Sequence, residues 1–222
     1  MKCVVIGSNG GIGAALAEAL ERRARSVIRV ARGTSLALDL LNEDSVAGSA
    51  AAIGPGLDLV VDATGFLHDD RYVPEKRLEE IDPAHLAYSF AINATGPALL
   101  LKHFSPLLAR DRRAVFATLS ARVGSIADNH LGGWYSYRAS KAALNQLVRT
   151  AAIELARSRK LAICVALHPG TVQTSLSNPF SKAGLEVQTP LQAAENLVAV
   201  IDALTPPQTG EFLDHRGHKI EF

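Results

Sequence analysis

The sequence predicts a single α/β domain, spanning residues 1–222, with helices on both faces of a doubly wound parallel sheet. Three observations predict this class. Short apolar runs alternate with segments of helical period along the whole chain. The apolar runs are continuous rather than alternating, which is typical of strands that are covered on both faces. No linker, repeat or low-complexity stretch divides the chain, so its strands and helices are expected to form one sheet through right-handed crossovers.

Each element follows from a local pattern. Unbroken apolar runs, ended by turn residues such as Gly65, predict six strands: Lys2 to Gly7, Ser26 to Ala31, Leu57 to Ala63, Ala114 to Leu119, Leu161 to Leu167 and Glu211 to Asp214. Apolar residues at helical spacing, as at Ile12, Leu16 and Leu20, predict five helices: Gly11 to Arg23, about 43–53, about Pro83 to Ala109, about Tyr135 to Arg157, and Pro190 to Leu204. Small residues and prolines between Gly170 and Pro190 predict a mobile binding loop.

Composition limits the classes of function. Hydrophobic residues make up 48% of the chain and charged residues 20%, which is enough apolar content for a large core. A net charge of +1 argues against a nucleic-acid-coating surface. No apolar run is long enough for a membrane span or a secretory leader, so we expect a cytoplasmic protein with no membrane partner. Cys3 and Cys164 lie in apolar runs and are expected to be buried, reduced thiols, and the scattered histidines predict no metal site.

A glycine-rich turn joins the first predicted strand to the first helix. Glycines here allow a tight turn and a close approach of the backbone to a pyrophosphate, which the free amides of the helix N-terminus would bind. The placement of the turn between a buried strand and an amphipathic helix favours a Rossmann-type dinucleotide site over a purely structural turn. The candidate cofactor ligands in this turn are Gly7, Ser8, Asn9, Gly11, Ile12 and Gly13.

The end of the second strand distinguishes the two nicotinamide dinucleotides. An acidic residue at this point would bind the ribose hydroxyls of NAD, whereas a basic residue would pair with the 2′-phosphate of NADP. Arg32 follows the strand, no acidic residue lies at the strand end, and the hydroxyls of Thr34 or Ser35 are placed to assist. We therefore predict NADP rather than NAD, the alternative being that Arg32 is a solvated surface residue.

Tyr137 and Lys141 are the candidate proton-transfer pair. Their four-residue spacing at the start of a long helix places them on one face, a turn apart. A phenol titrates near 10 in water, and a neighbouring ammonium, together with the positive nicotinamide of an oxidised cofactor, is expected to lower that pKa toward neutrality. An exposed helix pair without chemistry is the alternative, which the glycine turn disfavours.

Six motifs along the chain follow one order. They are the glycine turn, Asp62-Ala63-Thr64-Gly65, Asn93, Ser120 with its neighbours, Tyr137-Arg138-Ala139-Ser140-Lys141, and His168-Pro169-Gly170-Thr171-Val172-Gln173-Thr174. In this order the chain resembles the short-chain dehydrogenase/reductase family over essentially its whole length. The stretch from Ser120 to Asn145 is most similar to the branch of C-factor-type and carbonyl-reductase-like proteins.

The resemblance implies catalytic roles for four residues. Tyr137 would protonate the substrate carbonyl oxygen, Lys141 would hold the nicotinamide ribose and lower the pKa of Tyr137, and Asn93 would hold a water of the proton relay. The residues support the last role, because Pro97 lacks an amide hydrogen and so releases the Asn93 carbonyl from helical bonding. Asn93 as an ordinary polar residue inside a helix is the alternative. Ser120 is the candidate for polarising the substrate carbonyl.

The resemblance also implies further cofactor contacts. The backbone near Val172 would bind the nicotinamide carboxamide, Gly65 would allow the approach of the adenine ribose, and Asp39 would bind the adenine amino group. A helix cap or loop carboxylate is the alternative for Asp39. The candidate cofactor ligands beyond the glycine turn are Arg32, Asp39, Ala63, Thr64, Gly65, Tyr137, Lys141, Pro169, Gly170, Val172 and Thr174.

The serine position departs from the family pattern. The family commonly ends this strand with two serines, and alignment of the strand end places Ala121 on the second, catalytic one. Residue 124, thirteen positions before Tyr137, is glycine. Either Ser120 or Ser125 turns inward, or the donor that polarises the carbonyl is missing, at a cost on the order of 3 kcal/mol in the transition state.

The leading hypothesis is an NADP-dependent carbonyl reductase or alcohol dehydrogenase (EC 1.1.1.-) acting on a small molecule. A dinucleotide-binding signalling or regulatory protein with little turnover is the alternative, and a nucleotide-sugar epimerase is disfavoured because few residues follow Thr171. Trp134, Tyr135 and the segment near Leu176 to Leu185 are expected to line an apolar substrate pocket. The resemblance also implies a homodimer or homotetramer.

Overall fold

The computed structural model of the chain describes residues 1–23, 25–177 and 186–222. Its strands are β1 (Lys2–Ile6), β2 (Ser26–Val30), β3 (Leu59–Asp62), β4 (Ala114–Leu119), β5 (Ala162–His168), β6 (Thr171–Val172), β7 (Val187–Gln188) and β8 (Phe212–Asp214). Its α-helices are α1 (Gly11–Arg22), α2 (Glu43–Ile53), α3 (Pro83–Phe90), α4 (Gly96–Phe104), α5 (Tyr135–Ser158) and α6 (Pro190–Ala203).

The main sheet has six parallel strands in the order β2-β1-β3-β4-β5-β8. Its central strands end level with one another: Ile6 pairs with Asp62, Asp62 with Thr118, and Leu119 with Leu167. Strand β1 lies between β2 and β3. The chain adds β2 on one side of β1 and then β3, β4 and β5 on the other, so the direction of strand addition reverses between β1 and β3. A crevice at such a reversal is where ligands bind in open parallel sheets. The predicted doubly wound α/β fold is confirmed.

Two hydrophobic cores cover the two faces of the sheet. One core packs Val4, Val60 and Phe116 of the strands against residues of α2, α4 and α5. The other packs Val5 and Val61 against residues of α1 and α6. Because neighbouring residues of one strand point to opposite faces, a strand covered on both sides must be continuously apolar. Helices α1 and α6 thus cover one face of the sheet, and α2, α4 and α5 cover the other.

The helix boundaries agree with local capping chemistry. Asn42 caps α2, since its side chain accepts a hydrogen bond from the Ser45 amide at 3.3 Å. Asp82 caps α3 just before Pro83, and Thr189 forms a capping box with Gln192 at the start of α6. The three helices begin directly after these capping residues, where the sequence pattern predicts them to begin.

The long helix predicted from Pro83 to Ala109 is wrong as a continuous element. It is interrupted by a π-helical turn at Ala91–Thr95, between α3 and α4. Within that turn the amide of Gly96 donates to the carbonyl of Ala91, five residues earlier. The interruption lies immediately before Pro97, whose missing amide prevents regular bonding. The spacing of the helical hydrogen bonds therefore changes from four residues to five in the turn that contains Asn93.

Four further observations complete the description of the fold. Strands β6 and β7 form a small parallel pair, which the sequence does not predict because each strand has only two residues. Residues 178–185 of the predicted binding loop, which include Leu185, lie outside the described residues. Cys3 and Cys164 are buried free thiols, as predicted. Among the helices of the described ranges, none combines the length and apolarity needed to cross a bilayer.

Candidate active site

The candidate site lies where β1, β3, β4 and β5 end. The residues that follow these strands are Gly7, Ala63, Ser120 and, after His168, Pro169. Parallel pairing in register brings all four strand ends to one edge. This arrangement gathers the motifs that are far apart in sequence into one crevice, as the family resemblance implies.

The glycine turn is held by the neighbouring strand. Gly7 has a φ of +81°, which favours glycine, and its amide donates to the Val30 carbonyl at 2.8 Å. A Cβ at Gly13 would overlap the Gly7 carbonyl, so the absence of a side chain lets α1 begin directly against the turn. A Cβ at Gly11 would lie 2.9 Å from Cγ2 of Thr174. Thr174 therefore lies beside the first turn of α1.

The turn has the properties of an anion site. Among the described residues no side chain caps α1, and the first turn of the helix contains no acidic residue. The first helical amides, those of Gly11 and Ile12, have no acceptor within the helix. The Ser8 hydroxyl is buried and lacks a hydrogen-bond partner among the described residues. A pyrophosphate would supply acceptors for all three groups, so the residues of this turn fit a dinucleotide.

Arg32 lies at the surface immediately after β2 and Ala31. The Thr34 hydroxyl is used inside the turn, where it lies 3.0 Å from both the amide and the carbonyl of Ala31. Ser35 remains exposed beside it. Of the two hydroxyls expected to assist Arg32, that of Ser35 is therefore the one open to a ligand. The guanidinium itself faces solvent, where a phosphate could reach it.

Asp39 is an exposed loop carboxylate. One of its oxygens accepts a hydrogen bond from the Leu41 amide at 3.0 Å, and its own amide donates to the Ser45 hydroxyl at 3.0 Å. The helix cap of α2 is Asn42, three residues later, and not Asp39. The bond to Leu41 fixes the Asp39 side chain and leaves its other carboxylate oxygen for a ligand.

Asp62 braces β3 against β4. Its carboxylate accepts hydrogen bonds from the hydroxyls of Thr118 and Thr64, both at 2.6 Å. Burial raises the pKa of Asp62, and these hydrogen bonds together with the charge of Lys141 oppose the rise. Thr64 is thereby fixed, and Gly65 follows it at the exposed edge of the crevice.

Lys141 is anchored at the end of β4. Its Nζ donates to the Leu119 carbonyl at 2.8 Å, and the residue is 3% exposed. Burial lowers the pKa of Lys141 to about 8, with the Asp62 carboxylate opposing the shift. A Cβ on Gly65 would lie 3.7 Å from both Lys141 Nζ and Asn93 Oδ1. Three motifs of the predicted site therefore meet at this point.

Tyr137 lies one helical turn before Lys141 on α5. Burial raises the pKa of Tyr137 to about 12. In the chain without a cofactor, burial is the cause of this shift, and the Lys141 Nζ donates to the Leu119 carbonyl. The lowering of the pKa expected from the ammonium together with an oxidised nicotinamide stays a prediction for the cofactor-bound protein. At neutral pH the phenol keeps its proton, and the ring of Trp134 meets it edge-on at 6.2 Å.

Asn93 is fully buried in the π-helical turn. Its amide group forms a closed set of hydrogen bonds: Nδ2 donates to the Phe66 carbonyl at 2.8 Å and to the Ser140 hydroxyl at 3.1 Å, and Oδ1 accepts from the Phe66 amide at 2.8 Å. The side chain therefore holds the backbone after β3 and is not directed at a substrate. Any role in a water relay would fall to the Asn93 backbone carbonyl, whose release by Pro97 stays a prediction from the sequence.

Ser120 and Ser125 are both engaged in packing. The Ser120 hydroxyl donates to Asn145 Oδ1 at 2.7 Å, and Asn145 in turn donates to the Gly124 carbonyl at 3.3 Å. The Ser125 hydroxyl accepts from the amide of Asp128 at 3.1 Å. Both hydroxyls are therefore engaged with other residues of the chain. Ala121 lies on the opposite side of the extended chain from Ser120, and its match to the family's serine stays a prediction from the sequence.

The segment after β5 closes the site on its other side. Gly170 has a φ of +79°, and a Cβ there would collide with Nε2 of Gln188. Gln188 donates to the Pro169 carbonyl at 3.2 Å, which links β7 to the turn. Val172 is buried in β6. The predicted cofactor residues of this segment are thus held against the sheet edge by a contact with β7.

Sequence reasoning missed several residues that hold the site together. Thr118, Ser140 and Asn145 are buried polar residues whose hydrogen-bond partners lie far away in sequence. For one of these residues the sequence itself indicates a buried hydrogen-bonding role. Asn145 lies eight residues after Tyr137, on the helical face that begins with Tyr137 and Lys141, where a polar side chain between apolar neighbours requires a buried partner.

Comparison with known proteins identifies relatives of nearly the whole chain. A family model described as enoyl-(acyl carrier protein) reductase matches residues 7–202. C-signal of Myxococcus xanthus is 36% identical over 143 residues, which are 64% of this chain and 82% of that protein. The 1-hydroxy-2-glutathionyl-2-methyl-3-butene dehydrogenase of Rhodococcus sp. (strain AD45) is 32% identical over 94% of each chain.

A solved structure extends the likeness to the fold. A short-chain dehydrogenase/reductase from Burkholderia multivorans with bound NADP matches with a TM-score of 0.85 and 26% identity, covering 100% of this chain and 99% of that one. The expected resemblance to C-factor-type proteins agrees with the similarity to C-signal. On the family model, the near-full-length relative and the fold, the chain belongs to the short-chain dehydrogenase/reductase family of oxidoreductases.

Proposed function

We propose that the chain is an NADP-dependent oxidoreductase that acts on a carbonyl or alcohol substrate, with Tyr137 as general acid and base. The observation that carries the proposal is the placement of Tyr137 and a buried Lys141 one turn apart on α5, with the Lys141 Nζ held 2.8 Å from the Leu119 carbonyl at the crevice. When bound, the dinucleotide supplies or accepts the hydride. The expected assembly is a homodimer or homotetramer, which light scattering of the purified chain would test.

Tyr137 is suited to carbonyl reduction. Because burial raises its pKa to about 12, the phenol is protonated at neutral pH and can donate to a carbonyl oxygen as negative charge develops there. Lys141, with a pKa of about 8, is largely charged at pH 7 and stabilises the phenolate that remains. In the opposite direction the phenolate would accept the alcohol proton.

The cofactor preference rests on Arg32. Its exposed guanidinium at the end of β2 would pair with a 2′-phosphate through charge-assisted hydrogen bonds, and the Ser35 hydroxyl adjoins it. The Ser8 hydroxyl and the first amides of α1 would bind the pyrophosphate. The bound NADP in the Burkholderia multivorans relative supports the same choice.

One observation favours a second candidate, a dinucleotide-binding regulatory protein with little turnover. The Ser120 hydroxyl is bonded to Asn145, and Ala121 supplies no donor at the family's serine position. A transition state without this donor would be less stable by on the order of 3 kcal/mol. The similarity to C-signal supports keeping this candidate.

Cofactor binding is tested by fluorescence titration with NADPH and with NADH. We expect tighter binding of NADPH, and Arg32→Ala should weaken NADPH binding by about tenfold to a hundredfold while leaving NADH unchanged. Arg110→Ala, an exposed arginine before β4, is the matched control. Preference for NADH by the unaltered protein would overturn the assignment of Arg32.

Turnover is tested by the loss of nicotinamide absorbance with a panel of aldehydes, ketones and quinones. Oxidation of NADPH that requires one of these compounds would support the enzyme. Tight NADPH binding without turnover across the panel would favour the regulatory candidate instead.

A further inference from the structure

The helix that carries the proton-transfer pair lacks a cap of its own. Its N-cap residue, Trp134, is in the left-handed region at φ 55° and ψ 43°, and its side chain makes no capping hydrogen bond. The first amides of any helix have no acceptor within it, so a buried helix start requires acceptors from elsewhere. The first turn of α5 is buried at Ser136.

Glu75, in the loop between β3 and α3, supplies these acceptors. Its Oε2 accepts from the Ser136 amide at 3.2 Å, and its Oε1 accepts from the Ser136 hydroxyl. Its backbone carbonyl accepts from the amide of Trp134. A carboxylate at a helix N-terminus is also favoured by the helix dipole. Glu75 thus caps α5 from a segment about sixty residues away.

The same carboxylate reaches α3. Nδ1 of His85 lies 3.2 Å from Glu75 Oε1, and both side chains are at most 5% exposed. His85 stacks on the ring of Tyr72 with centroids 4.7 Å apart and an interplanar angle of 6°. Because Glu75 is buried with donors on both of its oxygens, its position is determined by α3 and α5 together.

The loop after β3 is therefore tied to α5 at two points. Glu75 binds Ser136, and Phe66 is held by Asn93, which also bonds the Ser140 hydroxyl. Ser136 and Ser140 are one helical turn apart and flank Tyr137 in sequence. Two ties at this spacing restrict both the axial position and the rotation of the turn that carries Tyr137.

We propose that Glu75 is a positioning residue for proton transfer, which holds Tyr137 at the crevice by capping α5. This inference rests on the proposed function, since it assigns Glu75 to the same reaction. Glu75 contacts neither of the proton-transfer residues, so it acts through Ser136. A small displacement of a reacting group can lower the rate of a reaction by about a hundredfold.

The test compares Glu75→Ala and Glu75→Gln with Glu79→Gln, whose exposed carboxylate pairs with Arg77 at 2.8 Å in the same loop. We expect Glu75→Ala to lower kcat by about a hundredfold with little change in KM or in NADPH affinity. Glu75→Gln keeps one acceptor oxygen and should recover part of the rate. Glu79→Gln should match the unaltered protein.

Hydrogen exchange provides a readout that does not need turnover. The amides at the start of α5 should exchange about tenfold faster or more in Glu75→Ala, while those of its last two turns are unchanged. If the chain proves to have no turnover, the proposed function fails, and this exchange pattern still tests whether Glu75 caps the helix.

Two results would overturn the proposal. One is a Glu75→Ala protein with unaltered exchange at the start of α5 and unaltered kcat. The other is faster exchange along the whole helix, with a lower melting temperature and a normal kcat per folded molecule, which describes a merely structural residue. Should Glu75→Ala not fold, Ser136→Ala removes one donor to the same carboxylate and should lower kcat severalfold at unchanged KM; an unchanged kcat would then count against the proposal.

Discussion

The glycine turn at residues 7–13 and the first turns of α5 lie at the same sheet edge, yet different contacts build them. The glycine turn depends on its own sequence: Gly13 packs on the carbonyl of Gly7, six residues earlier. The start of α5 depends on distant groups, the Glu75 carboxylate and the Leu119 carbonyl. A cofactor-binding turn can thus be read locally, whereas a proton-transfer site depends on how the whole chain folds.

The largest effect is expected on the α5 side of this comparison. Lys141→Met removes the ammonium beside Tyr137, and kcat/KM should fall by about a thousandfold, since the phenolate formed during the reaction loses its stabilising charge. Steady-state assays measure this effect, and the NADPH titration shows how much of the loss arises from cofactor binding. A loss confined to cofactor affinity would show that the lysine binds but does not act in proton transfer.

On the side of the glycine turn, Gly13→Ala should weaken NADPH binding by about a hundredfold, because the added Cβ forces α1 away from Gly7. Fluorescence titration measures the change. Gly48→Ala is the matched control, since a Cβ at that position in α2 meets no atom within 4 Å. Equal NADPH affinity of Gly13→Ala and the unaltered protein would show that the turn does not need its close packing.

Ala121→Ser sharpens the comparison by adding a donor to the α5 side. Turnover should rise by about tenfold to a hundredfold if the family's serine position is the missing carbonyl-polarising group. The matched change, Ser120→Ala, should leave kcat nearly unchanged and lower the free energy of unfolding by about 1 kcal/mol through the lost bond to Asn145. The reverse pattern, with Ser120→Ala inactive, would make Ser120 the catalytic donor.

The last expected effect concerns stability and pH rather than binding or turnover. The pKa of Lys141 is lowered from 10.5 to about 8 on folding, so below pH 8 the folded chain carries a buried charge that the unfolded chain keeps in water. The unaltered chain should therefore gain stability relative to Lys141→Met as pH rises from 8 to 10.5, by up to about 3 kcal/mol. Urea unfolding at pH 7 and pH 10 measures this difference. A difference independent of pH would contradict the lowered pKa.

The sequence predicts the half of the site that is local in the chain. Unbroken apolar runs indicate the strands, and the glycines and Arg32 indicate the cofactor side, because their spacing is itself the structural requirement. The four-residue spacing of Tyr137 and Lys141 similarly predicts their common helical face.

What the sequence does not predict depends on burial and distant partners. Burial raises the pKa of Tyr137 in the chain without a cofactor, and the degree of burial is a property of the folded chain. The bonds of Ser120 to Asn145 and of Glu75 to Ser136 join segments that no local pattern connects. The π-helical turn is predicted in part. Pro97 indicates that the helix is interrupted, but it does not indicate the π-helical geometry of the interruption.

The most direct test of the account is the rate of a single turnover in Tyr137→Phe. Rapid mixing of the NADPH-loaded protein with a substrate found in the carbonyl panel measures hydride transfer apart from binding. The account predicts unchanged NADPH affinity and hydride transfer slowed by about a thousandfold or more, because the proton donor is lost while the fold is kept. Hydride transfer at the rate of the unaltered protein would contradict the role of Tyr137 and with it the proposed reaction.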